Sequence, residues 1–252
     1  MKPAPLHHSR VWSTPWAGVY ATQMESSRHF GRHSHAVYGL GVMDHGAQRS
    51  ASGRGQVDAF AGDLISSNPG EVHDGQPLGG VARRWRMLYL EPQVLWDMAH
   101  ELGDTGQPAL ARPVLQDPVL RHALQQLLAL LAQVTEAGDA AQVLACDEAL
   151  ARVCTGLLGR HASIRQRELG GSAPLHRVRQ RLADDLLVSP TLAELAQLVG
   201  LSRFQLLRRF ASVYGLTPHA WLLQQRAERA RGLIAKGATL ADAAAASGFS
   251  DQ

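Results

Sequence analysis

The chain has 252 residues, 45% of them hydrophobic and 19% charged, with a formal net charge of +3; that suits one large or two ordinary domains with real cores. The opening MKPAPLHH lacks the apolar run of a secretory signal, and no stretch is long enough to span a bilayer, so the expectation is a cytoplasmic protein with no membrane partner. Cys146 and Cys154 are eight residues apart in a helical pattern; a rise of about 12 Å is too long for a disulfide, which leaves buried free thiols.

From Arg10 to Leu90 the sequence reads as short strands. AGVYATQM, AVYGLGVM, GQVDAF, GDLISSN and RRWRMLYL are separated by turn clusters such as SGRG, NPG and DGQPLGG. Several short strands at close spacing predict a β-barrel or sandwich. On the last strand, Arg84 and Trp85 are pocket candidates, because charged and aromatic groups fix polar ligands; the alternative for each is an ordinary surface or core position.

Beyond Pro92 the periodicity turns helical. One short helix runs to Leu102 and ends at Gly103. Asp117-Pro118 starts a second, whose Leu120, Leu124, Leu127, Leu131 and Val134 form a short coiled-coil-like seam. Packing on the barrel and dimerisation explain that seam equally well. Gly138-Asp139 breaks the run, and 140–164 supplies another long helix. Gly170-Gly171-Ser172-Ala173-Pro174 is the clearest linker, flexible and helix-breaking. The predicted domains are therefore 1–169 (barrel about 10–92, helices about 93–168) and 175–252, joined by 170–174.

After an Arg-rich helix over 176–187, TLAELAQLVGLSRFQLLRRF (191–210) reads as two short helices around a tight turn. Thr191/Glu194 and Ser202/Gln205 are capping boxes. Leu192, Leu195, Ala196 and Val199 keep an apolar face, and Gly200 suits the left-handed residue that ends a helix. In the second helix Leu206 and Phe210 are predicted core, with Arg203, Arg208 and Arg209 left polar. This order is that of a DNA-binding helix-turn-helix, with a purely structural hairpin as the alternative. TLADAAAASGFS (239–250) repeats TLAELAQLVGLS (191–202) at an offset of 48 residues, and an internal repeat marks a repeated supersecondary unit. Residues 172–252 carry 10 Lys and Arg against 6 Asp and Glu, whereas residues 1–171 carry 15 against 16. The basic excess sits where phosphate neutralisation requires it, although a merely solvated basic surface has the same composition.

The stretches LAELAQLVGLSRFQLLRRF, GLTPHAWLLQQRAERARGLI and ATLADAAAASGFSDQ resemble the AraC/XylS family of bacterial transcription regulators over about 175–252. The resemblance implies two helix-turn-helix units that set recognition helices into adjacent major-groove segments. The second such helix is expected near Ser250, and the sequence stops at Gln252, so a shortened sequence and a protein reading DNA with one unit are both open. In the family's recognition helix the outward positions correspond to Arg203, Phe204, Leu207 and Arg208. Arg208 is the expected base contact, since its planar fork can take guanine O6 and N7 together. Phe204 suits a thymine methyl, while Arg203 and Arg209 suit phosphates; core packing is the alternative for Phe204 and Leu207.

HFGRHSHAVYGLGV and GDLISSNPGEVHDG resemble the cupin barrel that such regulators use as a sensor, over about 27–92. The fold class expected is α+β: a cupin-like β-barrel with a helical dimerisation hairpin, followed by an all-α DNA-binding domain. By that resemblance His33, His35 and His73 occupy positions that supply metal ligands in enzymatic cupins, and His45 lies near the mouth. Strand alternation would set residues 33 and 35 on one face, and three imidazoles suit Zn, Fe or Ni. The Glu usual after the His-x-His is absent, with Gly39 and Leu40 in its place. Effector contact, metal binding and a structural role are the three readings for these histidines, and no cofactor is expected. The resemblance implies a non-enzymatic transcription regulator, activator or repressor, that binds promoter DNA and a small-molecule effector as a homodimer, with RNA polymerase a further partner. The rivals are a metal-dependent cupin enzyme with a helical appendage and a sensor or inhibitory partner that does not bind DNA.

Overall fold

The computed structural model describes residues 6–12, 14–102, 106–133, 140–165 and 173–249. Two compact units divide the chain, Met1–Arg167 and Glu168–Gln252.

The first unit is built from β1 (His7–Trp12), β2 (Val19–Ser26), β3 (Phe30–His33), β4 (Tyr38–His45), β5 (Ala47–Ser52), β6 (Gly55–Phe60), β7 (Leu64–Ser67), β8 (His73–Pro77) and β9 (Arg83–Leu90). Then come α1 (Pro92–Glu101), β10 (Gln107–Leu110), β11 (Val114–Leu115), α2 (Pro118–Leu131), α3 (Ala140–His161) and β12 (Ala162–Arg165). A six-stranded sheet has the order β1-β2-β9-β4-β7-β11, a four-stranded sheet the order β3-β8-β5-β6, and β10 pairs with β12.

At β4 both faces of the six-stranded sheet are covered, and the strand is buried without interruption from Tyr38 to Met43. One face presents Ala21, Leu40, Val42, Leu88 and Leu90 to a core shared with the helices. The other turns Met43, Trp85 and Met87 towards Phe30 and Ala59 of the four-stranded sheet. Pairing of Gly39, Gly41 and Met43 with Tyr89, Met87 and Trp85 puts these six residues on that inner face.

The leucine seam is used within the chain. Leu120, Leu124, Leu127 and Leu131 are buried in the same core as Val153, Cys154 and Leu157 of α3; Val134 lies outside the described residues. Asp117 caps α2, accepting the Leu120 N–H at 2.9 Å. It also accepts from Arg160 at 2.8 Å and meets His161 Nε2 at 2.7 Å, tying the start of α2 to the end of α3. Both cysteines are buried free thiols, and burial pushes the Cys154 thiol up to about 12. Gly103 and Gly138-Asp139, read as helix breakers, lie outside the described residues.

The second unit contains α4 (Ala173–Asp184), α5 (Leu192–Leu198), α6 (Arg203–Tyr214), α7 (Pro218–Ala235) and α8 (Leu240–Ala246). Gly170, Gly171 and Ser172 of the expected linker lie outside the described residues. Ala173 and Pro174 are the first turn of α4 rather than linker, a place where proline's missing N–H costs no hydrogen bond. The helix expected over 176–187 therefore starts and ends three residues earlier. Val178, Leu182, Leu195, Ala196, Leu206, Phe210 and Leu222 form the core of this unit.

Candidate functional site

Between the two sheets lies a cavity of about 270 Å³, near the lower end of the range of roughly 300–1,000 Å³ typical of small-molecule sites. Its wall is mostly apolar, from Met24, Phe30, Val57, Ile65, Trp85 and Met87, with polar groups at a few points.

His33, His35 and His73 converge on this cavity, with one ligand atom of each within 4.8 Å of the others. Strand alternation is not what joins His33 and His35. β3 ends at His33, and His35 is held by its backbone carbonyl, which accepts the Gly70 N–H at 2.7 Å. His73 enters from β8, its ring centroid 4.5 Å from that of His33. Nδ1 of His33 lies 2.7 Å from the Gly31 carbonyl and Nδ1 of His73 lies 2.9 Å from that of Glu71. A carbonyl can only accept, so Nδ1 carries a proton, and in the neutral ring Nε2 then keeps its lone pair, the arrangement a metal-ligating imidazole takes. Burial, then the neighbouring His33, lowers the His73 pKa and favours the neutral form that can ligate. These three side chains could hold a divalent transition ion.

A carboxylate to complete such a set has no room at Gly39, where a Cβ would stand 2.7 Å from Ser67 Oγ and 3.1 Å from Met87 Cε. Glu71, in the Pro-Gly-Glu-x-His turn, is committed elsewhere. It pairs with Arg54 at 2.7 Å and accepts the Asn68 N–H at 3.0 Å. Burial pushes its carboxyl upward, but Arg54 and the Asn68 N–H outweigh that and hold it below the usual range.

The strand expectation needs one correction. Trp85 lines the cavity, but Arg84 does not; it is exposed on the opposite face of β9. Alternation places Arg83 beside Trp85 instead. His45 is likewise exposed, paired with Arg84 at the end of the β4–β9 ladder and outside the cavity lining. Arg83, which sequence reasoning missed, is only 1% exposed. Its neighbour in the sequence is also arginine, so charge alone could not separate them, whereas the phase set by Trp85 could.

In the second unit the expected turn chemistry is present. Glu194 N–H donates to Thr191 Oγ1 at 3.2 Å, and Thr191 N–H donates to Glu194 Oε2 at 2.6 Å. Gln205 N–H donates to Ser202 Oγ at 3.2 Å, and Ser202 N–H to Gln205 Oε1 at 3.0 Å. Gly200 takes φ 65°, and Leu201 N–H reaches back to the Ala196 carbonyl at 3.0 Å, ending α5 in a Schellman turn. The repeat obeys the same rules. Thr239 caps α8 through the Asp242 N–H, Gly248 takes φ 81°, and Phe249 N–H reaches the Ala244 carbonyl at 3.1 Å. Ser250, the expected start of the next helix, lies outside the described residues.

With Leu206 and Phe210 fully buried, α6 leaves Arg203, Arg208 and Arg209 exposed and Leu207 half-buried. The side chain of Phe204 lies outside the described residues. Arg226, one of the basic residues of this region, is engaged within the unit. It donates to the Leu186 carbonyl at 2.6 Å and to Ser189 Oγ at 2.9 Å. Among the described residues no helix is long and apolar enough to cross a membrane.

Residues 15–152 match the family of AraC-like ligand binding domains, and residues 195–252 match a helix-turn-helix domain family. Over 229 residues the chain is 26% identical to YbfI, an uncharacterized HTH-type transcriptional regulator of Bacillus subtilis (strain 168), covering 88% of this chain and 80% of that protein. Among solved structures, ToxT from Vibrio cholerae superposes with a TM-score of 0.57 at 11% identity, over 97% of this chain and 90% of that one. Unsaturated fatty acid bound ToxT from V. cholerae strain SCE256 gives a TM-score of 0.58 at 12% identity, over 97% and 87%.

Proposed function

The chain belongs to the AraC/XylS family of transcription regulators, and from that premise we propose how its residues divide the work. It is a sequence-specific DNA-binding regulator that responds to a small-molecule effector. The observation that carries the division of labour is the pairing, in one chain, of an apolar cavity with polar points and a capped helix-turn-helix. The cavity takes the effector, with Trp85 and the three histidines among its contacts. Helix α6 enters the major groove, Arg208 reads a base edge, and Arg203 and Arg209 meet phosphates. Leu207 completes the groove-facing surface, and the family resemblance assigns Phe204 a thymine methyl.

The protein acts in the cytoplasm as a homodimer, without enzymatic activity, and touches RNA polymerase at the promoter. Support for a dimer surface comes from the outer face of α3, where Leu144 is 59% exposed and Val143 38%. For the effector to act as a switch it must bind two states of the protein with different affinity. The three-imidazole cluster favours a second reading, a metal-dependent cupin enzyme, but the lack of room for an acid at Gly39 weighs against it.

Fluorescence anisotropy of the chain with its own upstream DNA and with a scrambled duplex, across a salt series, tests the first reading. Salt-sensitive binding that prefers the upstream duplex is expected. Equal affinity for both duplexes, or no binding at low salt, would overturn it.

A further inference from the structure

The partly buried arginines of the barrel are matched to carboxylates, with one exception. Arg49 pairs with Asp58, Arg54 with Glu71 and Arg86 with Asp44, each at 2.7 Å. Arg83 is more deeply buried than any of these, and among the described residues no carboxylate lies within ion-pair distance of it. Its partners are neutral. Nε donates to Gln48 Oε1 at 2.9 Å, Nη1 to the carbonyls of Ser26 and Arg28 at 3.3 and 3.0 Å, and Nη2 to the carbonyl of Gly75 at 3.2 Å. Four bonds serve five N–H groups, and the one left over is on Nη2. Burial pulls the pKa of this guanidinium down to about 10, which still leaves it charged at neutral pH.

Its surroundings say what would satisfy that charge. The guanidinium carbon stands 4.8 Å from the Trp85 ring centroid and 5.4 Å from that of Phe30, so π-faces shield it in part. Both rings and Arg83 itself line the cavity. Gly75 lines it too, and a Cβ built there would sit 3.5 Å from Nη2 and 3.6 Å from Gln48 Oε1. The missing side chain thus leaves room for about one methyl group beside Nη2, the nitrogen that has an N–H to spare. Two acids border the cavity, but Glu71 is bound to Arg54 and Asp74 accepts the Ala51 N–H at 2.7 Å. A buried cation without a counter-charge is costly, and an anion placed against it in a water-poor site is held strongly.

We propose that Arg83, with Gln48 beside it and the room left by the missing side chain of Gly75, is the anion-recognition point of the cavity, and that the effector is a small monocarboxylate with an apolar or aromatic body. The inference rests on the regulator reading for its biological meaning, since it names the chemical class of that reading's effector. The carboxylate takes the spare Nη2 hydrogen, the hydrocarbon body lies among Met24, Phe30, Trp85 and Met87, and the volume favours a compact molecule over a long chain.

Isothermal titration of the full chain with matched pairs tests this: phenylacetate against phenylacetamide, indole-3-acetate against indole-3-acetamide, and hexanoate against hexanamide. At least one carboxylate is expected to bind tenfold or more tightly than its amide. Arg83→Gln should abolish that preference, and Arg83→Lys should retain part of it. Gly75→Ala should weaken the carboxylate by tenfold or more while leaving Tm near wild type, because its methyl makes only an ordinary contact with Nη2. That variant keeps the test sound if Arg83→Gln fails to fold. An arginine that served only to brace the sheets would lower Tm when replaced and leave carboxylate and amide alike. A wild-type chain that prefers no carboxylate, including one that binds none of the six, overturns the proposal, as does a preference that survives Arg83→Gln and Gly75→Ala. Repeating the titrations with labelled upstream duplex separates the two levels. Amides that bind and alter duplex affinity preserve the regulator and remove the anion site. Carboxylates that bind through Arg83 without altering duplex affinity preserve the site and contradict the effector role.

Discussion

Gly41 offers a severe test of how the cavity is built. It lies in β4 opposite Met87 of β9, and a Cβ there would stand 2.0 Å from Met87 Sδ and 2.7 Å from the Arg86 carbonyl oxygen. The thioether can swing away only from a nearly closed position, since Met87 is 6% exposed and already forms the cavity wall. The carbonyl belongs to a sheet ladder and cannot move without breaking register. Gly41→Ala is therefore overpacking with a backbone component, at about 1–3 kcal/mol, or roughly 2–12 °C in Tm at 2–4 °C per kcal/mol for a unit of this size. It also pushes Met87 into the space an effector would use. Gly39→Ala should be milder, because the atom met at 2.7 Å is the Ser67 hydroxyl, which can rotate. Gly31→Ala meets nothing within 4 Å and has an ordinary φ, so it serves as the neutral control. Thermal unfolding followed by tryptophan fluorescence should rank the three as Gly41→Ala, then Gly39→Ala, then Gly31→Ala. A Gly41→Ala protein that melts within a degree of wild type would refute the packing described here.

Other changes read different parts of the molecule. Asp117 is held below the usual carboxylate range: burial works against it, but the Leu120 N–H, His161 and Arg160 prevail. Its contribution is thus complete above the unfolded value of about 3.9 and fades as pH falls through the lower folded value. Asp117→Ala should cost about 2 kcal/mol at pH 7 from the lost cap and charged bonds, with a smaller loss of stability than wild type on acidification, as measured by urea titrations at pH 7 and pH 3. Dialysis against Zn or Ni followed by elemental analysis should show about one ion per chain, lost in His33→Ala, His35→Ala and His73→Ala, if the imidazoles act as the metal site their geometry allows; an ion retained in the triple variant would place it elsewhere. Arg203→Ala should lower DNA affinity alike for all sequences and reduce the log–log salt slope by about 1. A change confined to one base pair would instead make Arg203 a reading residue.

Legibility in the sequence followed from how local each signal was. The helix-turn-helix was readable because capping boxes and glycine turns are decided by residues three to six apart, and each predicted cap bond at Thr191 and Ser202 is formed. β4 stood out by its continuous apolar run from Tyr38 to Met43, where both sheet faces are covered, and β9 by the run Met87–Leu90 at its end. β1, β5 and β8 did not, since HHSRVW, AQRSAS and HDGQP carry too few buried residues to show a period. β10, β11 and β12 owe their pairing to partners distant in sequence. For the cavity, Trp85 was found by residue type, while Arg83 and Arg84 could be told apart only by strand phase. The histidines converge through a loop carbonyl and β8, a long-range arrangement that alternation along β3 could not supply.

The reading of DNA by α6 is tested most directly by measuring the affinity of wild type and Arg208→Ala for a panel of upstream duplexes, each with one base pair replaced. Wild type should discriminate at several positions. Arg208→Ala should lose discrimination at one guanine-bearing position, by the about 1–3 kcal/mol of a bidentate contact, while the rest of the pattern stays. An unchanged pattern in Arg208→Ala, or a wild-type chain indifferent to every replacement, would contradict the assignment of α6 as the helix that reads the promoter.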